Sequence, residues 1–374
     1  MIKLDVRNYD TVKDNYFKEI VKEILAHYQT NSKAFFNVVV SDFFETGHSF
    51  DVNKVKNIIN IDLIDINNND ELLVNYLKTG FLIHYSDFQV DNALKINGKD
   101  ITVANRYQYR IDYVNEYYND WLKSYLAKHP NYYKNAKNFK KFINDIDKEF
   151  LQLNKEIDAI IKYSFINSTL RHQIINASKV TVCPYCNRQY ISYYQNKGKQ
   201  YTTADLDHFY PKGIFALLSL SLHNFIPSCQ ICNQRFKKKK IRKILYPFKA
   251  GFESDAKFNV KIHDFDSFYG LNDNFDLQID IDDKSTVKEE ITNNKEMFHL
   301  EALYQHHKPY VQELLLKKNL IYNDSYLAMM QATFANLNLS KQYLDIFLYG
   351  YSFDENLDRD KILEKLTKDI LEKG

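Results

Sequence analysis

Apolar residues recur at helical spacing through the first part of the chain, up to about residue 165. In residues 10–29 the interval is three or four positions, which places the apolar side chains on one helical face. Residues 101–130 continue the pattern and end at Pro130, where a helix should stop. Between these segments, residues 59–70 are rich in Asn and Asp, which is typical of a turn or loop. Residues 135–163 predict a further helix with one apolar face: Phe139, Phe142, Ile143, Ile146, Phe150 and Leu151.

The pattern changes at about residue 180. Residues 179–194 combine β-branched and aromatic side chains around a C-x-x-C, which indicates two strands joined by a knuckle. Residues 257–262 and 274–282 alternate apolar and polar positions and predict two further strands. The spacing is then helical again, and Pro309 is predicted to kink a long helix over residues 298–322. The pattern predicts two more helices after it.

These elements predict an α+β fold that is mainly helical and divided into three parts. We expect a helical N-terminal domain over residues 1–165, a small mixed centre over residues 166–250, and a strand pair with a helical segment over residues 251–374. The hydrophobic share of 45% and the charged share of 26% are typical of an ordinary globular protein.

The formal net charge is only +2, so any affinity for nucleic acid has to come from local clustering of basic residues. The first residues carry charges where a signal peptide needs an apolar core. No run approaches the ~20 apolar residues of a membrane-spanning helix. The sequence therefore predicts a cytoplasmic protein without membrane contact.

All four cysteines lie in two C-x-x-C pairs, Cys183 with Cys186 and Cys229 with Cys232. A disulfide framework is disfavoured in a long chain without a secretory signal. Two close thiolate pairs can instead surround one tetrahedral zinc ion. A single C-x-x-C is also typical of a redox motif. Two pairs without any further cysteine favour zinc.

Between the two pairs lies the segment L-D-H-F-Y-P. A zinc knuckle without catalysis explains the cysteines but leaves Asp207 and His208 unexplained. Hydrolysis of a phosphodiester needs an activated water, and a histidine with its pKa of ~6.5 can deprotonate water near neutral pH. A divalent cation held by carboxylate and amide oxygens can bind the phosphate and the leaving oxygen. Adjacent residues of a strand face opposite sides, so one of Asp207 and His208 can face the metal and the other the water.

Two asparagines lie close to the second cysteine pair. Asn224 precedes the strand-like F-I-P-S, and its amide can bind the backbone next to His208 and orient the imidazole. The alternative for Asn224 is an ordinary turn residue. Asn233 follows Cys232 at the start of a predicted helix, where its carbonyl oxygen can reach a cation opposite Asp207. The alternative for Asn233 is a helix cap.

Together, C-P-Y-C, L-D-H-F-Y-P-K and N-F-I-P-S-C-x-x-C-N resemble the HNH endonuclease superfamily, in the branch whose ββα-metal finger is braced by two C-x-x-C knuckles. The resemblance covers about residues 180–240. It implies a central ββα-metal finger, a structural zinc ion on the four cysteines, and Mg²⁺ or Mn²⁺ as the catalytic cation.

The resemblance also implies a role for each residue of the motif. Asp207 and Asn233 would hold the catalytic cation, His208 would be the general base, and Asn224 would orient it. The family is named after three motif residues, His, Asn and His. The third is often His, and in this chain it is Asn233. A lysine commonly lies three residues further on, whereas this chain has Lys237 four residues on.

A basic run directly after the second cysteine pair supplies local positive charge. We expect its side chains, together with Lys212, to neutralise phosphates near the site in a salt-dependent and sequence-independent way. A solvated surface is the alternative for such a run. The residues expected to contact nucleic acid in the run are Arg235, Lys237, Lys238, Lys239 and Lys240.

The sequence thus predicts a metal-dependent endonuclease that acts on DNA, and RNA stays open as a substrate. The alternative is a non-catalytic zinc module that binds nucleic acid or a partner protein. Similar knuckle-braced HNH proteins serve in bacterial anti-phage defence, for example in Septu-like pairs with an ATPase. A separate ATPase or sensor protein is therefore the implied partner, since this chain has no Walker-type glycine loop. A duplex cut would require a homodimer or two sequential nicks.

Overall fold

The computed structural model describes residues 2–86, 90–238, 242–322, 324–334, 346–351 and 361–372. Within these ranges the chain is mainly helical, and its strands form five antiparallel two-stranded sheets. The predicted mainly helical α+β class is confirmed. In the same part of the chain, no helix is both long enough and apolar enough to cross a membrane.

The N-terminal part contains eight α-helices among its described residues, together with two very short hairpins. The hairpins pair β1 (Ala34–Phe35) with β2 (Val38–Val39) and β3 (Glu45–Thr46) with β4 (Ser49–Phe50). The helices are α1 (Asp10–His27), α2 (Val52–Ile59), α3 (Glu71–His84), α4 (Val90–Ile96), α5 (Val103–Glu116), α6 (Lys123–Lys128), α7 (Ala136–Ile160) and α8 (Ser168–Ala177).

The two helices expected over residues 10–29 and 135–163 are present as α1 and α7. Most of the apolar stripe of α7 is buried, although Leu151 at its edge is 40% exposed. The segment expected to be one helix over residues 101–130 is divided into α5 and α6. Asn119 explains the break, because its side chain accepts a hydrogen bond from the Trp121 backbone and donates one to the Tyr117 carbonyl.

Helix α3 was not predicted, although the sequence carries its signals. Asp70 ends the Asn- and Asp-rich loop, and its side chain accepts a hydrogen bond from the Leu73 backbone as an N-cap. Leu73, Tyr76 and Leu77 then recur at helical spacing and are buried. The predicted loop is thus the entry to a core helix.

The central and C-terminal parts hold the remaining strands and helices. The predicted strand pair is confirmed, with Phe275 opposite Ile262 and Ile281 opposite Ala256. Pro309 does not kink a continuous helix but lies in the first turn of a new one, where its missing N–H costs nothing. The chain instead breaks at His299, whose φ is 49°. The elements are β5 (Tyr193–Asn196), β6 (Lys199–Thr202), β7 (Asp205–His208), β8 (Phe225–Ser228), β9 (Ala256–Ile262), α9 (Phe265–Phe268), β10 (Phe275–Ile281), α10 (Lys288–Met297), α11 (Leu300–Tyr304), α12 (Lys308–Leu316), α13 (Asp324–Phe334) and α14 (Glu364–Glu372).

One continuous cluster of buried apolar side chains extends from Leu4 to Leu371. It includes residues of α1, of α7 and of the strand pair β9–β10, and all four cysteines belong to it. The central strands β7 and β8 contribute Leu206, Phe225 and Ile226 to the same cluster. The division into three domains stays a prediction.

Candidate functional site

The four cysteines form a single buried cluster whose sulfur atoms all lie within 4.8 Å of one another. A tetrahedral site with Zn–S bonds of about 2.3 Å places its sulfurs about 3.8 Å apart, which is close to this arrangement. Burial raises the pKa of the Cys183 thiol, because desolvation disfavours the thiolate. A bound cation offsets that cost. The cluster can therefore hold a metal ion such as zinc, as the spacing of the cysteines predicted.

The turn that carries Cys183 and Cys186 is fastened to both ends of the chain. The Ile2 N–H donates to the Pro184 carbonyl at 3.0 Å, and the Leu363 N–H donates to the Asn187 carbonyl at 2.7 Å. The buried Tyr304 hydroxyl donates to the Cys186 carbonyl at 2.8 Å. These bonds fix the turn in place independently of the thiols.

Strands β7 and β8 place the motif L-D-H next to the cysteine cluster. In their antiparallel register Asp207 lies opposite Ile226, and His208 lies opposite Phe225. The Asp207 carboxylate is buried and accepts a hydrogen bond of 2.7 Å from the hydroxyl of Tyr185, the residue between the first two cysteines. Tyr185 was not singled out in the sequence, although its place inside C-P-Y-C is a usable signal.

Lys237 lies inside the protein, which differs from the expected phosphate contact at the surface. Its side chain is 1% exposed, and its Nζ lies 3.0 Å from Asp207 Oδ2 and 2.7 Å from the His208 carbonyl. A buried ammonium is stable only when it is paired, and this lysine has both a carboxylate and a carbonyl acceptor. Lys237 therefore neutralises Asp207 instead of facing a solvent-exposed phosphate.

A π-helix explains why Lys237 reaches Asp207. Residues Ile231–Lys237 form this helix, and the Lys238 N–H donates to the Asn233 carbonyl five residues earlier at 2.8 Å. The wider turn rotates each residue by about 80° instead of 100°. Consequently the fourth residue after Asn233 points close to where the third would point in an α-helix.

The His208 imidazole is fixed and uncharged. Its Nε2 lies 3.0 Å from the Ser219 carbonyl, and the Tyr163 ring meets it edge-on at a centroid distance of 4.8 Å. Burial, together with the positive charges of Lys212 and Lys237, lowers the pKa of His208 to about 4. With Nε2–H donating to Ser219, the Nδ1 lone pair is the proton acceptor of the ring.

Asn224 holds the segment that follows His208. Its side chain is fully buried, accepts from the Tyr210 N–H at 2.8 Å and donates to the Tyr210 carbonyl at 2.9 Å. The same amide donates to the Leu218 carbonyl, next to the Ser219 carbonyl that binds the imidazole. The structure therefore places Asn224 where it fixes the backbone on both sides of the histidine.

Asn233 lies beside β7 rather than capping its own helix. Its Nδ2 donates to Asp205 Oδ2 at 3.1 Å, and Gln234 donates to the same oxygen at 2.8 Å. These bonds use Nδ2 and leave the side-chain Oδ1 of Asn233, on the other side of the amide, as its acceptor. No hydrogen bond from a side chain caps the first turn of this helix.

Asp207, His208 and Asn233 line one open cleft of about 780 Å³. The opposite wall comes from the C-terminal end of α7 and the residues after it, including Lys155, Asp158 and Lys162. Lys155 and Lys162 were not predicted as site residues. Their spacing of seven positions is a weak signal, because it places both on one side of a helix.

The other basic residues expected at the site have different positions. Lys212 and Lys238 line the cleft, and Lys212 Nζ lies 3.9 Å from the centre of the Tyr163 ring. Arg235 is exposed on the π-helix. Lys239 and Lys240 lie outside the described residues. The rim of the cleft around the neutral His208 thus carries four lysines and one aspartate: Lys155, Lys162, Lys212, Lys238 and Asp158.

We expect the protein to bind one zinc ion per chain. Replacement Cys229→Ser should release the metal and destabilise the fold by roughly 5 kcal/mol or more, since the binding free energy of a structural zinc ion contributes to folding. Metal content by mass spectrometry and thermal unfolding measure both effects. The matched control is Ser228→Ala at the adjacent buried position, which should keep the zinc. Full zinc content in Cys229→Ser would contradict the assignment.

We expect His208 to titrate near pH 4, because its pKa is lowered to about 4. The unfolded chain takes up this proton first, at about pH 6.5. The contribution of His208 to stability is therefore present above pH 6.5 and is lost as the pH falls towards 4. Nuclear magnetic resonance of the imidazole follows the titration, and His208→Gln assigns the signal. A midpoint above about 6 would show that the imidazole is not desolvated.

Comparison with known proteins adds no relative to these observations. No family model, no curated protein and no solved structure matches this chain. The resemblance to HNH endonucleases therefore rests on the motif residues themselves, and the activity has to be inferred from the chemistry of the cleft.

Proposed function

We propose that this protein is a metal-dependent endonuclease of the HNH type that hydrolyses phosphodiester bonds in DNA. The observation that carries the proposal is the neutral, fixed His208 in a cleft rimmed by Lys155, Lys162, Lys212 and Lys238. A phosphodiester brings negative charge to the cleft, and the lysines attract it. The histidine is the base that the hydrolysis needs.

His208 performs the first step by taking a proton from a water molecule that attacks phosphorus. Its Nε2–H bond to Ser219 fixes the tautomer, so that Nδ1 accepts the proton. Asn224 maintains this geometry by holding Tyr210 and the Leu218 carbonyl. The charge of the lysine rim stabilises the negative charge that increases on the phosphate in the transition state.

Asp207 and Asn233 are the residues that would hold a divalent cation such as Mg²⁺ or Mn²⁺, because both residues line the same cleft and carry oxygen ligands. When bound, the cation supplies positive charge at the phosphate and at the leaving 3′ oxygen. Lys237 already neutralises Asp207 at 3.0 Å, so the cation has to compete with this ammonium for the carboxylate.

The local fold supports the assignment to the ββα-metal type. Two antiparallel strands, β7 and β8, are followed directly by a helix, and the cysteine cluster braces both ends of the insert between the C-x-x-C pairs. A purely structural zinc module explains the cysteines equally well. It provides no reason for a cleft of about 780 Å³ that joins His208 to Lys155 of α7 and to Lys162 just after that helix.

The biological role in this proposal follows the resemblance to anti-phage nucleases. The N-terminal helices would then dock a separate ATPase or sensor protein that controls cleavage. The cleft by itself is compatible with DNA and RNA backbones, and DNA is the substrate proposed.

The proposal is tested by cleavage of supercoiled plasmid with Mg²⁺ or Mn²⁺. His208→Ala should reduce the cleavage rate by a factor of at least about 100, since a general base contributes this much or more. His208→Gln keeps a donor for the Ser219 carbonyl and should be equally inactive. His306→Ala changes an exposed histidine and is the matched control, with activity unchanged.

Zinc content and circular dichroism establish that each variant is folded. If the folded wild-type protein and His208→Ala are equally inert across metals and DNA forms, the nuclease proposal fails and the zinc-module alternative stands. Cleavage of structured RNA without cleavage of any DNA would overturn the proposed substrate.

The cation position gives a separate prediction at Lys237. Replacement Lys237→Met should lower the free energy of unfolding by about 3–5 kcal/mol, because it leaves the Asp207 carboxylate buried without its positive countercharge. Mn²⁺ should then raise the melting temperature of this variant more than that of the wild type. The control is Asp207→Asn with Lys237→Met, which lacks both charges and should not respond to Mn²⁺. Equal responses of all three proteins would contradict Asp207 as a cation ligand.

A further inference from the structure

The hairpin between the first cysteine pair and β7 is a short, regular ribbon. Strands β5 (Tyr193–Asn196) and β6 (Lys199–Thr202) are joined by Lys197 and Gly198, whose φ angles are 50° and 75°. Two consecutive residues with positive φ make a type I′ turn, whose twist matches that of the strands. The hairpin therefore has a defined shape up to its tip.

The hairpin exposes aromatic side chains on both faces. Every residue of the two strands is exposed except Thr202, which is half-buried. Tyr194 and Tyr201 lie opposite each other and stack at 5.4 Å, so cross-strand packing explains this pair. Tyr193 on the other face is 62% exposed, and Tyr190 just before the hairpin is 55% exposed. Packing within the hairpin does not explain these two tyrosines.

The charge of the hairpin is entirely positive. Residues 188–203 contain Arg188, Lys197 and Lys199 and no aspartate or glutamate, whereas the chain as a whole is nearly neutral at +2. Lys197 and Lys199 both lie at the tip. Nucleic acid is a polyanion whose bases also offer flat apolar surfaces. A ribbon with a basic tip and exposed aromatic rings is complementary to such a molecule.

The remaining side chains of the ribbon suit base edges. Gln195 and Gln200 lie directly opposite each other on the same face as Tyr193. Each amide offers a donor and an acceptor, the pair of groups that contacts adenine in the major groove. That groove is about 12 Å wide and admits a two-stranded β-ribbon. The ribbon thus fits duplex DNA better than a single strand.

The position of the hairpin connects it to the cleft. Tyr201 precedes His208 by seven residues, so an extended chain separates them by at most about 25 Å. B-DNA rises 3.4 Å per base pair, so this distance corresponds to about seven base pairs. A duplex whose backbone enters the cleft can therefore reach the hairpin less than one helical turn away.

We propose that the β5–β6 hairpin is a second DNA-contact element, which inserts into a groove of duplex DNA and holds it beside the cleft. Lys197 and Lys199 contact phosphates at the groove edge, while Tyr193, Gln195 and Gln200 face the base edges. The placement of the duplex rests on the proposed nuclease function. Binding of DNA by the hairpin does not depend on cleavage and is measured without it.

The test is binding of a fluorescent 30-base-pair duplex, followed by anisotropy with Ca²⁺ in place of Mg²⁺ over a series of salt concentrations. Lys197→Glu with Lys199→Glu should weaken binding about tenfold or more and reduce the salt slope by about 1.8, since each phosphate contact contributes about 0.9. Tyr193→Ala should weaken binding with the salt slope unchanged. The matched control is Lys140→Glu with Lys141→Glu, the same charge change about 22 Å along α7 from Lys155.

Zinc content and circular dichroism establish that the tip variants are folded. Unchanged affinity and slope in the tip variant, or an equal loss in the control, would overturn the hairpin proposal even if cleavage is observed. Tighter binding of a single strand or an RNA hairpin than of the DNA duplex would overturn insertion into a groove. Loss of duplex binding in the tip variant, with wild-type protein inert in the plasmid assay, supports the hairpin and refutes the nuclease.

Discussion

The architecture of the centre depends on four thiols that are held within 4.8 Å of one another. The two pairs lie on separate segments, and their convergence sets where the first turn lies relative to β8 and the π-helix. Tyr185 extends from that turn to Asp207, and Lys237 extends from the π-helix to the same carboxylate. The cysteine cluster, which can hold a metal ion, and the proposed catalytic strand therefore share one network, so a shift in either is transmitted to the other.

The buried ion pair of Asp207 and Lys237 costs desolvation free energy, and it fixes the positions of both side chains. Removing two charges from water is unfavourable, and the mutual attraction with two further hydrogen bonds offsets it. The π-helix makes the pair possible, and this irregular turn occurs where the site requires a specific side-chain direction.

The sequence allowed the features set by local pattern to be predicted. The paired cysteines, the helix α7 and the strand pair β9–β10 follow from spacing alone. Tertiary contacts decided the rest. The direction of Lys237 depends on a helix type that its sequence does not reveal, and Lys155 joins the cleft only because the end of α7 lies across it from β7. Helix α3 was predictable from the sequence, because Asp70 is a typical N-cap residue at its start. The break at Asn119 arises from side-chain bonds to the backbone that compete with the helix.

The fastening of the first cysteine turn by Ile2 and Leu363 has a consequence for biosynthesis. The ribosome releases the second cysteine pair well before residue 363, at roughly 5–20 residues per second. The four cysteines can thus bind a metal ion on the growing chain. The hydrogen bond from Leu363 to the cysteine turn forms on the order of ten seconds later. During that interval the turn is held by the bond from Ile2 and, once residue 304 has been made, by the bond from Tyr304. The turn that places Tyr185 beside Asp207 is therefore held by all three bonds only after residue 363 has left the ribosome.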